Sequence, residues 1–295
     1  MADYRGDQAD GLRRLFGQKA ATRVITFVGG SAGVGRSAIV ANLAAALVRL
    51  GKDVLVLDES ARDGSAACFG ALVRNDLQHV VEGEKALDEV MLKVPAGVRV
   101  LPVARTVGAL ARLSPLQQER LIATLAGLSP APDFILVDAS HDHPLGFSPF
   151  GLAAHETVIV VPPTPGAITE AYALIKKVSL AYASRSYRVL VNKARSLEEG
   201  RTIFGNIARV THARRLARLE YVGCIPADER MTQAARLCQP AVGLYPDAPA
   251  ARVLRTLAGN LIDWPGADAE VGGLEQFLQQ LLHLSQRYDP VAIYA

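Results

Sequence analysis

Short β-branched apolar runs alternate along the chain with longer stretches in which apolar residues return every three or four positions. The runs at residues 24–28, 54–57, 98–102, 134–137, 158–161, 188–191 and 221–225 predict strands. Several are apolar at every position, the pattern of a parallel strand buried on both faces. Between them, residues 37–50, 115–128, 167–181, 197–218 and 231–237 predict helices. This β-α-β alternation argues for an α/β fold, a doubly wound and mostly parallel sheet with helices on both faces. Ligands of such sheets sit at the carboxyl ends of the strands, so the loops that follow strands are where chemistry is expected.

Two pieces fall outside the alternation. Residues 1–21 form a charged N-terminal segment, and residues 265–273 read as a linker rich in Gly, Pro and acid. Residues 274–287 predict one more helix. The expected division is a segment at 1–21, an α/β unit over 22–264, a linker at 265–273, and a C-terminal amphipathic helix and tail over 274–295.

Composition narrows the class. The 295 residues are 50% hydrophobic and 21% charged, ample for a buried core and incompatible with disorder along most of the chain. Cys68, Cys224 and Cys238 lie far apart and match no metal-ligand spacing, which points to a reducing compartment. A net charge of +3 is too mild to argue for direct contact with nucleic acid. Asp3, Arg5, Asp7, Asp10, Arg13, Arg14 and Lys19 leave no signal-peptide core. No apolar run reaches the roughly 18 residues of a membrane span. A soluble cytoplasmic protein is expected.

The first strand is followed by Gly30-Ser31-Ala32-Gly33-Val34-Gly35-Arg36-Ser37 and then Ala38. This is the phosphate-loop pattern G-x-x-x-x-G-[K]-[ST] with Arg in the Lys position, in the required place between a buried strand and a helix. Glycines there let backbone N–H groups close around phosphates, and the helix N-terminus adds partial positive charge. Ser37 is placed to ligate Mg²⁺. A dinucleotide G-x-G-x-x-G reading fails, because Ala38 stands where its third Gly is needed. Further on, Phe134-Ile135-Leu136-Val137-Asp138 is a buried strand ending in Asp, the Walker B pattern, with Asp138 placed at the Mg²⁺ shell. His141-Asp142-His143 follows; nothing completes a four-ligand set, so a solvated loop is expected there.

These motifs resemble the MinD/ParA group of ATPases, whose loop reads K-G-G-x-G-K-[ST]. On that resemblance Ser31 stands at the group's signature Lys and Arg36 at its phosphate-loop Lys. The group's D-x-D becomes Asp58-Glu59-Ser60, so Asp58 matches the first Asp while Ser60 replaces the Asp that orients the attacking water. Glu59 is adjacent, but a neighbour on an extended segment points the other way. Residues 162–172 are similar to the T-P-E-P-x-A-I-T-D-A-Y segment of the flagellar branch, and Asn192 matches an adenine-contacting Asn. Residues 223–228 with Pro240-Ala241-Val242 are similar to the block G-x-I-P-x-D…P-V. The resemblance covers about residues 22–262. It implies ATP or ADP held by Gly30, Gly33, Val34, Gly35, Arg36, Ser37, Ala38 and Asn192, with Mg²⁺ at Ser37 and Asp138. It also implies a homodimer as one assembly. The departures at Ser31, Arg36 and Ser60 imply ATP hydrolysis that is weak or absent.

The N-terminal segment selects a branch. Asp7-Gln8-Ala9-Asp10-Gly11-Leu12-Arg13 resembles the D-Q-A-x-x-L-R motif of the FlhG/FleN family of flagellar-number regulators. The resemblance implies that Asp7, Gln8, Ala9, Leu12 and Arg13 contact an FlhF-type GTPase of the SRP class, with flagellar basal-body or transcription factors as further candidate partners. Physically, Ala9, Leu12, Leu15 and Phe16 share one helical face, too short to be stable alone and suited to ordering on a partner's groove. A solvated terminus is the alternative. The helix at 274–287 carries Leu274, Phe277, Leu278, Leu281, Leu282 and Leu284 on a broad apolar face with few cations. Membrane binding is therefore expected to be weak or absent, with the protein at most peripheral to the inner membrane. Packing on the protein's own surface or on a partner is the open alternative. An active MinD/ParA-type ATPase and a cellulose-synthesis accessory protein of the same superfamily are the competing functions.

Overall fold

The chain runs β1 (Arg23–Gly29), α1 (Arg36–Arg49), β2 (Val54–Asp58), α2 (Ser65–Cys68), α3 (Leu77–Glu82), α4 (Leu87–Val90), β3 (Leu92–Lys93), β4 (Arg99–Pro102), α5 (Ala104–Ala109), α6 (Pro115–Ala126) and β5 (Phe134–Asp138). It continues through α7 (Pro149–Ala153), β6 (Glu156–Val161), α8 (Pro165–Tyr182), β7 (Ser186–Ala194), α9 (Leu197–Ala213), β8 (Arg218–Pro226), α10 (Glu229–Arg236), α11 (Ala241–Leu244), α12 (Pro249–Asp263) and α13 (Leu274–Arg287). This computed structural model describes residues 22–60, 62–141, 143, 147–182, 186–264 and 273–287. The partner-binding residues expected at Asp7, Gln8, Ala9, Leu12 and Arg13, and the linker up to residue 272, lie outside the described residues.

The strands form one sheet in the order β3-β4-β2-β5-β1-β6-β7-β8. Among the described residues only the short β3 pairs antiparallel, on β4. Successive strand residues feed opposite faces. Val24, Leu55, Leu57, Ile135, Val137, Ile159 and Val189 enter one apolar core. Ile25, Phe27, Val54, Val56, Leu136, Val158 and Leu190 enter the other. A two-sided core is why the strands read as unbroken apolar runs. Each fully buried Leu, Ile or Val contributes about 1.5–3 kcal/mol.

α1 closes the second core. Its Ala- and Leu-rich sequence favours helix, and Ile39, Val40, Leu43 and Leu47 are fully buried. It ends where the Lys52 N–H returns to the Leu47 carbonyl at 3.1 Å. On the other face α6 starts in a capping box: Ser114 accepts from the Gln117 N–H and Gln117 Oε1 accepts from the Ser114 N–H, with Pro115 first in the helix.

The sequence pattern did not mark the short elements α2–α5, β3, α7 and α11, and three longer ones depart from it. The helix expected over 197–218 stops at Ala213. Arg215 takes a left-handed φ of 51°, and β8 starts at Arg218, not 221, because its pairing with β7 begins at Ser186↔Arg218. α12 was not expected. Its signals were Pro249 at the start and Ala250, Leu254, Leu257, Ala258 and Leu261 on one face. The C-terminal helix forms as expected at Leu274–Arg287, and its apolar face lies inside the first core, with Phe277 and Leu278 fully buried. Phe277 sits 6.4 Å from Phe150 of α7, centroid to centroid. Among the described residues no helix is long and apolar enough to cross a membrane.

Candidate functional site

The sheet brings the carboxyl ends of β1, β2, β5 and β7 to one rim, which places the 30–37 loop, Asp58, Asp138 and Asn192 together. α1 begins there without a side-chain cap and with no acidic residue in its first turn. Its leading N–H groups, those of Arg36, Ser37 and Ala38, are the orphan donors that an anion can satisfy. Gly35 precedes them at φ 89°, a conformation that costs other residues about 1–2 kcal/mol. A Cβ there would also overlap Asn192 Nδ2. Gly30 packs against the backbone of α8 at Glu170, and Val34 is buried in the second core.

Asn192 holds the loop from the side. Its Nδ2 donates to the Val34 carbonyl at 2.7 Å, and its Oδ1 accepts from the Lys193 N–H at 3.0 Å. Lys193, at a φ of 60°, lays its Nζ on the Gly33 carbonyl at 2.9 Å. Lys193 was not expected here. Its only sequence signal is its place directly after Asn192 at a strand end.

Beneath the loop lies a buried cluster of three carboxylates and one guanidinium. Asp58 and Asp138 are register partners on β2 and β5, both fully buried. Asp138 Oδ1 accepts from Arg36 Nε at 2.5 Å and from the Ser37 hydroxyl at 3.2 Å, while Oδ2 accepts from the Ser65 N–H at 2.9 Å. Asp58 accepts from the N–H groups of Ser60 and Ala66 at 2.9 and 2.8 Å. Gly64 lies so close to Asp58 that a Cβ would overlap its carboxylate. Glu59 turns away from Asp58, as the extended backbone requires. Its carboxylate is engaged nonetheless: it accepts from the Ser140 N–H at 2.9 Å and from the Ser148 hydroxyl. Burial, with the Asp138 charge behind it, holds the Asp58 carboxyl above the usual range. Burial raises Glu59 to about 7, against the pull of Ser148, Ser140 and Arg36.

The Ser60 hydroxyl accepts from the Asp63 N–H at 3.1 Å. The side chain carries no charge with which to orient a water. Ser31 is half-buried in the loop. Of the two histidines after β5, His143 is pushed down to about 4 by burial and by Lys177. Among the described residues no group of three or more His, Cys, Asp or Glu is arranged to hold a metal. Ser65, Ser140 and Ser148 were missed because they act from loops and a helix start that no local motif marks.

An uncapped helix behind a glycine loop, above an Asp at the end of the neighbouring strand, defines a phosphate-loop protein of the P-loop NTPase class. The chain belongs to the MinD/ParA nucleotide-binding family, and within it to the FlhG/FleN branch: the family model of the CobQ/CobB/MinD/ParA nucleotide binding domain matches residues 25–238. Antiactivator FleN of Pseudomonas aeruginosa is 33% identical over 270 residues, spanning 91% of this chain and 96% of that protein. Flagellum site-determining protein YlxH of Helicobacter pylori is 26% identical over 276 residues, spanning 92% and 93%. The septum site-determining protein MinD of Pyrococcus horikoshii, solved in complex with Mg-ADP, matches the fold with a TM-score of 0.56. It is 22% identical over 81% of this chain and 96% of that one.

Proposed function

We propose that this chain regulates flagellar number or placement by binding partners, on a nucleotide-binding fold whose ATPase machinery is degraded. The observation that carries the proposal is a near full-length relationship to an antiactivator of the flagellar branch, joined to a loop with no lysine at either Ser31 or Arg36. ATP or ADP would lie along the N–H groups of Arg36, Ser37 and Ala38, with its base beside Asn192 and Lys193. Ser37 and Asp138 stand at the positions that the resemblance assigns to a Mg²⁺ ion. The N-terminal residues Asp7, Gln8, Ala9, Leu12 and Arg13 would dock on an FlhF-type GTPase.

Hydrolysis requires positioning and charge neutralisation in the transition state. Ser31 lacks the cation and Ser60 the carboxylate. Loss of one stabilising cation in phosphoryl-transfer sites lowers the rate on the order of 10³-fold. Steady-state phosphate release with Mg²⁺ and ATP, repeated with an FlhF-type GTPase present, should stay far below that of a MinD-type enzyme. Comparable turnover would instead favour the active ATPase. Deleting residues 1–20 should leave the fold intact and abolish binding to the GTPase; undiminished binding would remove the partner half of the proposal.

A further inference from the structure

The two side chains placed to ligate Mg²⁺ are bonded to each other and to a guanidinium. Asp138 Oδ1 receives both Arg36 Nε at 2.5 Å and the Ser37 hydroxyl at 3.2 Å. Asp138 is fully buried and the Arg36 side chain is 9% exposed, so little water weakens the pair. Mg²⁺ demands near-octahedral oxygen ligands at about 2.0–2.1 Å. It cannot share one carboxylate oxygen with a positive guanidinium already in contact with it, because the two cations repel across a site of low polarity. The other carboxylate oxygens are engaged too: Asp138 Oδ2 accepts from the Ser65 N–H, Asp58 from Ser60 and Ala66, and Glu59 from Ser140 and Ser148, so a metal would have to crowd or displace these bonds. The donor set in this arrangement does not fit the metal.

We propose that Arg36 is the resident cation of the site, and that the loop binds a nucleoside diphosphate without a divalent metal. This rests on the nucleotide reading of the loop given above. The chemistry of arginine is what makes it workable. Nε holds Asp138, while the guanidinium carries further N–H donors on both Nη atoms, in a planar fork that matches phosphate oxygens. Arg36 is also the first residue of α1, so its side chain leaves the backbone at the uncapped helix start. A lysine offers one compact ammonium and cannot divide its donors in this way. The Arg in the Lys position thus neutralises the strand-end Asp and contacts phosphate with one side chain.

The test measures ADP affinity of the full chain by calorimetry, in Mg²⁺ and in EDTA, for the wild type and for Arg36→Lys. The wild-type affinity should change by less than about threefold on removing the metal. Arg36→Lys removes the guanidinium from Asp138 Oδ1, and its affinity should become metal-dependent by about tenfold or more. Electron paramagnetic resonance with Mn²⁺ in place of Mg²⁺ gives a second readout: the ion should stay free beside wild type and ADP, and be captured by Arg36→Lys with ADP. A wild-type affinity that falls about tenfold in EDTA, or Mn²⁺ captured by the wild type, overturns the proposal. These wild-type arms decide the matter even where Arg36→Lys fails to fold. If the wild type and a folded Arg36→Lys both bind no ADP in either buffer, the nucleotide reading itself falls and takes this proposal with it.

Discussion

Replacing Glu59 by Gln should stabilise the protein in alkaline solution and leave it nearly unchanged in acid. Glu59 is 4% exposed and its carboxyl titrates at about 7 in place of its ordinary 4.5, chiefly through burial. Below pH 4.5 the group is protonated in both folded and unfolded chains and contributes nothing. Between 4.5 and about 7 the unfolded chain ionises while the native state keeps its proton, so native stability falls as pH rises. Above about 7 the loss is complete. At about 1.4 kcal/mol per tenfold step, the interval amounts to about 3 kcal/mol. Gln has the same shape and never ionises; its oxygen can accept the Ser140 N–H and its amide can donate to Ser148. Urea unfolding at pH 5 and pH 8 checks the sign. At pH 5 the two proteins should agree within about 1 kcal/mol, and at pH 8 Glu59→Gln should be more stable by about 2–3 kcal/mol. Asp58 is displaced in the same direction and cancels in the comparison. A Gln variant less stable than the wild type at pH 8 would refute the reasoning, since it would mean that an ionised Glu59 is held favourably by Arg36.

Two substitutions probe the core and the loop. Phe277→Ala removes a fully buried ring that packs against Phe150, and should lower unfolding stability by about 3–5 kcal/mol; an unchanged Tm would show that the C-terminal helix is not part of the core. Gly35→Ala forces a side chain into a φ of 89° and against Asn192, so ADP affinity should fall by about tenfold or more and unfolding stability by at least the about 1–2 kcal/mol of the backbone term, and an unaltered affinity would argue against the loop as the phosphate site.

The strands and the loop were legible because their signals are local. A parallel strand covered on both faces must be apolar at every position, and an anion-binding turn needs glycine where φ is positive, so both leave marks within eight residues. The C-terminal helix was equally clear as a helix. What its leucines face was not, because periodicity shows that a stripe is apolar and says nothing of what covers it. Packing against α7 answered that, since Phe277 meets Phe150 across a long stretch of intervening chain. The end of α9 was misread for a related reason: the pairing of Arg218 with Ser186 lifted the chain out of a helical pattern that local propensity alone would have continued.

The candidate site divides in the same way. Gly30–Ser37, Asp58 and Asp138 could be named from motifs, each within its own segment. That Arg36 would lie on Asp138 across 102 positions, and Asn192 on Val34 across 158, follows only from the sheet order that sets β2, β5, β1, β6 and β7 side by side. The chain's residues specify which groups stand at strand ends. Strand order and close packing decide which of those groups touch, because contacts between distant segments are selected by how the whole core fills and not by any stretch of sequence read alone.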